Sequence, residues 1–171
     1  IQRIIEAEIR ASKKDNAGVF ELTPEAAALS ASFEKNKSKL PWPVERGVIV
    51  SNFGPNPHPV LAGITVPNNG IDIATNKDAQ VRAVFEGTVS AVFSIPGAGK
   101  NVIVNHGGYR SVYANLKEVF VEKGQKVSSK EALGVVLTDE ADGKTEAHIE
   151  IWKVGNGGTT KEDPAKWIFQ R

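Results

Sequence analysis

The first hydrophobic pattern along the chain has the period of an α-helix. Ile1, Ile4, Ile5 and Ile9 fall on one face of a helix predicted over residues 1–14, and charged residues occupy the other faces. An apolar stripe of this kind needs a surface that covers it. We expect either the last turns of a coiled coil, of which fewer than about three heptads are visible, or a short helix packed on its own domain.

A second helix is predicted over residues 23–37, followed by an extended linker. Thr23 followed by Pro24 is typical of a helix start, because the hydroxyl group can cap the first turn and proline fits the first helical position. In the linker, residues 38–43, two prolines bracket Trp42 and favour extended backbone. We expect Trp42 to anchor this linker to the domain that follows.

From residue 48 onward the hydrophobic pattern has a period of two, in short runs separated by glycine-rich turns. Short strands with a turn about every ten residues indicate a mainly β domain, an antiparallel sandwich or barrel-like sheet. We therefore divide the chain into a helical segment, 1–40, and a β domain, 41–171. The predicted strands are 48–50, 70–73, 80–84, 88–93, 101–104, 109–114, 119–121, 133–137 and 147–152.

Composition narrows the classes of function. The 171 residues include 40% hydrophobic and 24% charged residues, enough for a core, and the formal net charge is +1. The basic residues are dispersed, which argues against nucleic-acid binding, and no apolar run approaches the roughly 20 residues of a membrane span. Cysteine is absent, so thiolate metal sites are excluded. Because the chain starts at Ile1 and lacks methionine, we expect a fragment of a longer protein.

Three histidines are candidates for chemistry. Glu146 and His148 alternate along a predicted strand and share one face, where they could hold a metal ion or move a proton. Such pairs on β faces are more often ordinary hydrogen-bonded neighbours. We expect His106, at a strand end, to stabilise a turn, and His58, between two prolines, to be a solvated loop residue.

Six segments in a fixed order carry a family resemblance, which covers roughly residues 40–169. The chain resembles the LytM/lysostaphin family of zinc endopeptidases, which have the duplicated hybrid motif fold and cut peptidoglycan cross-links. The six segments are 47–54 (GVIVSNFG), 68–73 (NNGIDI), 101–107 (NVIVNHG), 113–116 (YANL), 121–127 (VEKGQKV) and 147–152 (AHIEIW).

Three of five functional positions depart from the family's motifs. In place of His-x-Gly-x-Asp, which supplies two zinc ligands, this chain has Asn68 and Asp72. In place of His-x-His, a catalytic histidine followed by the third ligand, it has Glu146 and His148. Asn115 replaces the histidine of Tyr-x-His-Leu, which polarises the substrate carbonyl or stabilises the oxyanion. The resemblance therefore implies no catalytic residues and leaves Asp72 and His148 as residual ligands.

These replacements predict the loss of zinc and of hydrolysis. Catalytic zinc takes three protein ligands and an open position, and the carboxamide of Asn68 is a poor substitute for imidazole. Each missing proton-handling or oxyanion-stabilising group costs about 100-fold in rate or more. One alternative is a rewired zinc-dependent peptidoglycan endopeptidase that uses Asp72, His148 and Glu146.

The start of the β domain sharpens the resemblance. Residues 40–44 (LPWPV), then Gly47 and the pair 53–54 (FG), are most similar to murein hydrolase activators of the EnvC type, in which a coiled coil precedes a degenerate LytM domain. This implies a periplasmic or cell-envelope location, reached through a signal peptide absent from this fragment, and a role in cell division. It also implies that a groove binds a helix of an N-acetylmuramoyl-L-alanine amidase and activates the enzyme.

A helix-binding groove needs apolar and hydrogen-bonding walls. The candidates near the motifs are Arg110, Tyr113, Asn115 and Trp152, although Tyr113 and Trp152 could equally pack in the core. The predicted helix at residues 23–37 could act as a regulatory helix that folds over the groove. A further alternative is a module that binds peptidoglycan without a protein partner.

Overall fold

Two helices precede an antiparallel β domain in the computed structural model, which describes residues 1–15, 21–155 and 157–171. Helix α1 spans Gln2–Asp15 and helix α2 spans Pro24–Lys35. The strands are β1 Val48–Ser51, β2 Gly54–Pro57, β3 Thr65–Asn68, β4 Ile71–Ala74, β5 Gln80–Arg82, β6 Gly87–Ile95, β7 Gly99–Asn105, β8 Tyr109–Val119, β9 Lys126–Val127, β10 Ala132–Val136, β11 Glu146–Gly155 and β12 Gly158–Glu162. A short 3-10 helix, Pro164–Lys166, follows.

One large sheet organises the β domain. Its strand order is β1-β4-β11-β8-β7-β6-β9, with β10 paired to β5 and β8, and β12 paired to β11. Strands β2 and β3 form a separate hairpin. Every pair of these strands runs antiparallel. The prediction of a mainly β, antiparallel domain preceded by short helices is confirmed.

The two faces of the large sheet pack against different hydrophobic clusters. In β11, Ala147, Ile149 and Ile151 point into the main hydrophobic core. The residues between them alternate to the opposite face of the sheet, and these are Glu146, His148, Glu150 and Trp152. The main core is closed by apolar side chains of β5, β10 and the C-terminal segment. Strand alternation thus separates a core face from a second face, which carries His148.

Helix α1 packs on this second face of the sheet. Its buried residues Ile5 and Ile9 form a cluster with Trp152 and three aliphatic side chains of the sheet, Ile103, Val112 and Val154. Burial of each isoleucine contributes about 1.5–3 kcal/mol. The apolar stripe of the first helix is therefore covered within this domain in the structure.

Helix α2 packs at another place, beside the turn between β7 and β8. Phe33 is fully buried and stacks on the rings of His106 and Tyr109 at centroid distances of 4.8 and 4.9 Å. The ring of Trp167 lies tilted against it at 4.8 Å. The Thr23 hydroxyl oxygen accepts a hydrogen bond from the Ala26 backbone N–H at 3.1 Å, which confirms the predicted cap.

The predicted linker fastens to the C-terminal segment. Leu40 forms a parallel β-bridge with Ile168. The indole N–H of Trp42 donates a hydrogen bond to the Phe169 carbonyl at 2.8 Å. Trp42 is buried and is the anchor that we predicted.

Several details differ from the predicted strands. Residues 119–121 do not form a strand of their own, because β8 continues without a break to Val119. The β2–β3 hairpin, the two-residue strand β9 and β12 were not predicted at all. No helix in the described ranges is long and apolar enough to cross a membrane.

Candidate functional site

Three neighbouring strands bring the motif positions together. Asp72 of β4 lies opposite His148 of β11 in the strand register, and His148 lies opposite Ala114 of β8. Asn115 is the next residue of β8, and Glu146 lies two residues before His148 on β11. Asp72, Asn115, Glu146 and His148, from distant parts of the chain, thus lie close together, and Asn68 joins them through a hydrogen bond to Asp72.

A chain of hydrogen bonds runs from Asp72 along this face. Nδ1 of His148 lies 2.7 Å from Oδ1 of Asp72, and Nε2 lies 2.8 Å from Oε2 of Glu150. The indole N–H of Trp152 donates to the other oxygen of Glu150 at 2.8 Å. Trp152 packs under helix α1. These hydrogen bonds therefore connect the motif positions to the surface on which helix α1 packs.

The two carboxylates control the charge of His148. Burial alone would lower the pKa of this imidazole, but the hydrogen bonds to Asp72 and Glu150 and the charges of both acids outweigh burial and raise the pKa to about 9. The imidazole is therefore protonated at neutral pH, and both of its ring N–H groups donate to carboxylates.

Asn68 stands where the family resemblance implies a zinc-ligating imidazole. Its Nδ2 donates to Ser51 Oγ at 2.9 Å and to Asp72 Oδ2 at 3.1 Å. Its Oδ1 accepts from the backbone N–H of Gly70 at 3.0 Å. The side chain is thus held from both ends, and it turns N–H donors toward Asp72.

Asn115 and Glu146 occupy the two positions of the family's other histidines. Asn115 has a left-handed backbone with φ 62°, a conformation that asparagine tolerates better than most residues. Its Nδ2 donates to the backbone carbonyl of Glu146 at 2.7 Å. Asn115 therefore ties β8 to the start of β11, and neither position offers an imidazole.

The donor set does not fit the zinc centre of an active peptidase. Such a centre takes three protein ligands and keeps an open position. Here Asp72 could serve as one ligand and His148 as a second only after losing a proton, and the amide nitrogen of Asn68 has no lone pair for a metal ion. Among the described residues, no group of three or more His, Asp or Glu side chains is arranged to hold a metal ion.

Three of the four predicted groove residues are buried. Tyr113 lies in the main core, where its hydroxyl oxygen accepts from the Val84 backbone N–H at 2.9 Å. Arg110 and Trp152 lie on the second face beneath α1 and are only 4% and 2% exposed. In this structure Tyr113 and Trp152 fill packing positions, Arg110 borders a separate cleft next to helix α1, and Asn115 lines the cleft that Glu146 also lines.

The helices also differ from the hypothesis of a regulatory helix over the groove. The predicted helix 23–37, observed as α2, packs on the β7–β8 turn through Phe33, not on the motif positions. The helix that shares a sheet face with Asp72 and His148 is α1.

The remaining histidines serve the fold. His106 is fully buried, with Nδ1 2.7 Å from the Glu86 carbonyl and Nε2 2.7 Å from Ser111 Oγ. Burial lowers the pKa of His106 to about 4, although the hydrogen bond to the Glu86 carbonyl by itself would raise it. His58 Nδ1 accepts from the backbone N–H groups of Val60 and Leu61, which shapes the β2–β3 hairpin. His106 thus has the turn-stabilising role that we predicted.

Comparison with known proteins identifies the same region. The family model of peptidase family M23 matches residues 66–162. Peptidoglycan DD-endopeptidase ShyA of Vibrio cholerae is 34% identical over 137 residues, which are 75% of this chain and 31% of that protein. Stage II sporulation protein Q of Bacillus subtilis is 37% identical over 93 residues, which are 52% of this chain and 33% of that protein. The chain spans about a fifth to a third of the curated relatives it matches.

Solved structures give the same result for the fold. A chain of the SpoIIQ–SpoIIIAH pore-forming complex superposes with a TM-score of 0.60 at 28% identity, over 78% of this chain and 92% of that one. A zinc-containing peptidase from Vibrio cholerae superposes with a TM-score of 0.58 at 29% identity, over 73% of this chain and 39% of that one. Lysostaphin, at 18% identity, shares the fold with a TM-score of 0.55, over 73% of this chain and 51% of that one.

Proposed function

The chain belongs to peptidase family M23, and from that premise we propose that it is a non-catalytic regulator of cell-wall hydrolysis. In this proposal it binds a peptidoglycan amidase, an N-acetylmuramoyl-L-alanine amidase, through the groove at the former active site, and activates it during cell separation. It carries no zinc, and it works in the cell envelope.

The observation that carries the proposal is the side chain of Asn68. Its amide donates to Asp72 Oδ2 and Ser51 Oγ and so takes up the space of a third metal ligand with a group that cannot coordinate. Without that ligand the metal could neither polarise a carbonyl group nor activate water. The replacements at Asn115 and Glu146 remove the imidazoles that would handle protons and developing negative charge.

The relatives support both parts of the proposal, the role in cell-wall chemistry and the binding of another protein. ShyA is named as a peptidoglycan DD-endopeptidase, which supports a place for this chain in cell-wall chemistry. The SpoIIQ–SpoIIIAH complex contains a chain of the same fold in association with another protein, which supports a binding role for such a domain.

The test is hydrolysis of purified sacculi by this chain alone, by a candidate amidase alone, and by the two together, each with and without added zinc. We expect solubilised peptidoglycan to increase above the amidase's own level only in the mixture. Glu122→Lys changes an exposed residue that lines neither cleft beside the motif positions, and this variant should stimulate as well as the unaltered chain.

Two results would contradict the proposal in different ways. Zinc-dependent hydrolysis by the chain alone would mean that Asp72, His148 and Glu146 form a rewired endopeptidase. Retention on sacculi without any effect on the amidase would mean a peptidoglycan-binding module that needs no protein partner.

A further inference from the structure

Two adjoining clefts form one groove beside the motif positions Asn115 and Glu146. The first cleft, of about 950 Å³, lies between β1, the β2–β3 hairpin and the loop before β11. The second, of about 500 Å³, lies between the end of β10, the same loop and Asn115. Lys144 and Glu146 line both clefts, so the groove continues from one into the other.

Part of the first cleft is lined by Val50, Pro57 and Pro59, which belong to an uncharged segment of the chain, and Lys77, Lys144 and Glu146 line the rest together with polar side chains. Residues 47–71 contain no Asp, Glu, Lys or Arg over 25 consecutive positions. This segment includes six of the ten exposed large hydrophobic side chains among the described residues, namely Val48, Val50, Val60, Leu61, Ile64 and Val66. Single exposed apolar residues are ordinary, but such a concentration on one hairpin and its neighbouring strand marks an interaction surface.

The second cleft is acidic. Its lining includes four carboxylates and one ammonium group, a formal sum of −3, in a chain whose net charge is +1. Two of the acids also shape the loop, because Asp139 accepts from the Ala141 N–H at 2.8 Å and Asp142 accepts from the Lys144 N–H at 2.9 Å. Glu140 is exposed at the edge of the cleft.

We propose that this groove binds an amphipathic segment of a partner protein, apolar toward the β2–β3 hairpin and rich in Lys or Arg toward the acidic cleft. The inference rests on the proposed function and states what the bound segment of the amidase must look like. Burial against the hairpin supplies the affinity, while the acidic cleft attracts and orients the basic end. An acidic segment would be repelled, and a wholly polar one would leave the hairpin exposed to water.

The test uses the whole chain and a purified candidate amidase, with binding measured by calorimetry at low and high salt. Val50→Lys places a charge in the apolar part of the first cleft. Its matched control is Phe120→Lys, because Phe120 has a similar exposure, 46% against 53% for Val50, and lines neither cleft. Glu140→Lys reverses a charge in the acidic cleft, and Glu122→Lys is its matched control. We expect each groove variant to weaken binding about tenfold or more and each control to change it less than about twofold.

Further measurements separate the possible outcomes. Replacement of a basic residue of the amidase segment by Glu should restore binding to the Glu140→Lys variant. An unfolded variant could not be rescued in this way. Unchanged amidase binding by both groove variants would overturn this inference and leave the proposed function standing. No binding by the unaltered chain would overturn both. Loss of sacculus binding in the groove variants, with amidase binding intact, would assign the groove to peptidoglycan and overturn the inference.

Discussion

Glu8 and Arg110 lie 102 positions apart in the chain, yet a carboxylate oxygen of Glu8 and Nε of Arg110 are 3.0 Å apart in the fold. The guanidinium group also donates to the backbone carbonyls of Gly107 and Tyr109 and is nearly buried. This ion pair joins helix α1 to the face of the sheet that carries His148.

Glu8→Gln should destabilise the domain by about 1–3 kcal/mol, because it removes the anionic partner of a buried guanidinium group. Urea denaturation measures the change in the free energy of unfolding. Glu6→Gln, on the same helix, removes an acid whose hydrogen bond to Gln2 is exposed, and it should cost less than about 0.5 kcal/mol. Equal losses in both variants would show that the Glu8–Arg110 pair contributes nothing specific.

Asn68→His should increase zinc affinity about tenfold, because it would complete a set of three protein ligands with Asp72 and His148. Competition with a chromogenic zinc chelator measures the affinity. Asn56→His, in the neighbouring hairpin, is the matched control and should not change it. We expect the Asn68 variant to remain inactive on sacculi, since Asn115 and Glu146 are unchanged; unaltered zinc affinity would contradict the assignment of this position.

The raised pKa of His148 predicts a loss of stability at alkaline pH. Its folded pKa of about 9 lies above the ordinary 6.5, so its contribution is fully present below 6.5 and is lost as pH rises through 9. Between pH 6.5 and 9 the wild type should lose about 2–3 kcal/mol more than His148→Gln. Urea denaturation at both pH values provides the comparison, and parallel losses in the two proteins would refute the role of the Asp72 and Glu150 contacts.

His106 predicts the opposite dependence. Its folded pKa of about 4 lies below 6.5, so its contribution is present above 6.5 and is lost as pH falls toward 4. From pH 7 to pH 5 the wild type should lose about 2 kcal/mol more than His106→Gln. Carboxylates that titrate in this range affect both proteins alike, so the difference between them isolates the imidazole. A difference near zero would mean that His106 is not held neutral.

The sequence predicted the β domain well where alternation is strict. Strand β11 alternates between core and second face without interruption, and its predicted range lies inside the observed one. The β2–β3 hairpin was missed because Pro55, Pro57 and Pro67 argue against strands, and only pairing at an isolated hairpin makes them acceptable. Strand β12 was missed because its side chains are mostly polar and exposed.

Sequence spacing predicts some neighbours of His148 and not others. Alternation places Glu150 and Trp152 on the same face as His148, so the role of Glu150 could have been read from its spacing of two residues. Residue spacing does not predict that helix α1 covers Arg110 and Trp152, because the helix lies about a hundred positions away from them in the sequence. Long-range packing thus decided which of the predicted groove residues are buried.

The contacts of Leu40 and Trp42 with the C-terminal segment join the two ends of the β domain. Leu40, Trp42 and Ile168 all belong to the main hydrophobic core. Each end of the domain therefore covers core side chains of the other, and removal of the last residues would expose Leu40 and Trp42 to water.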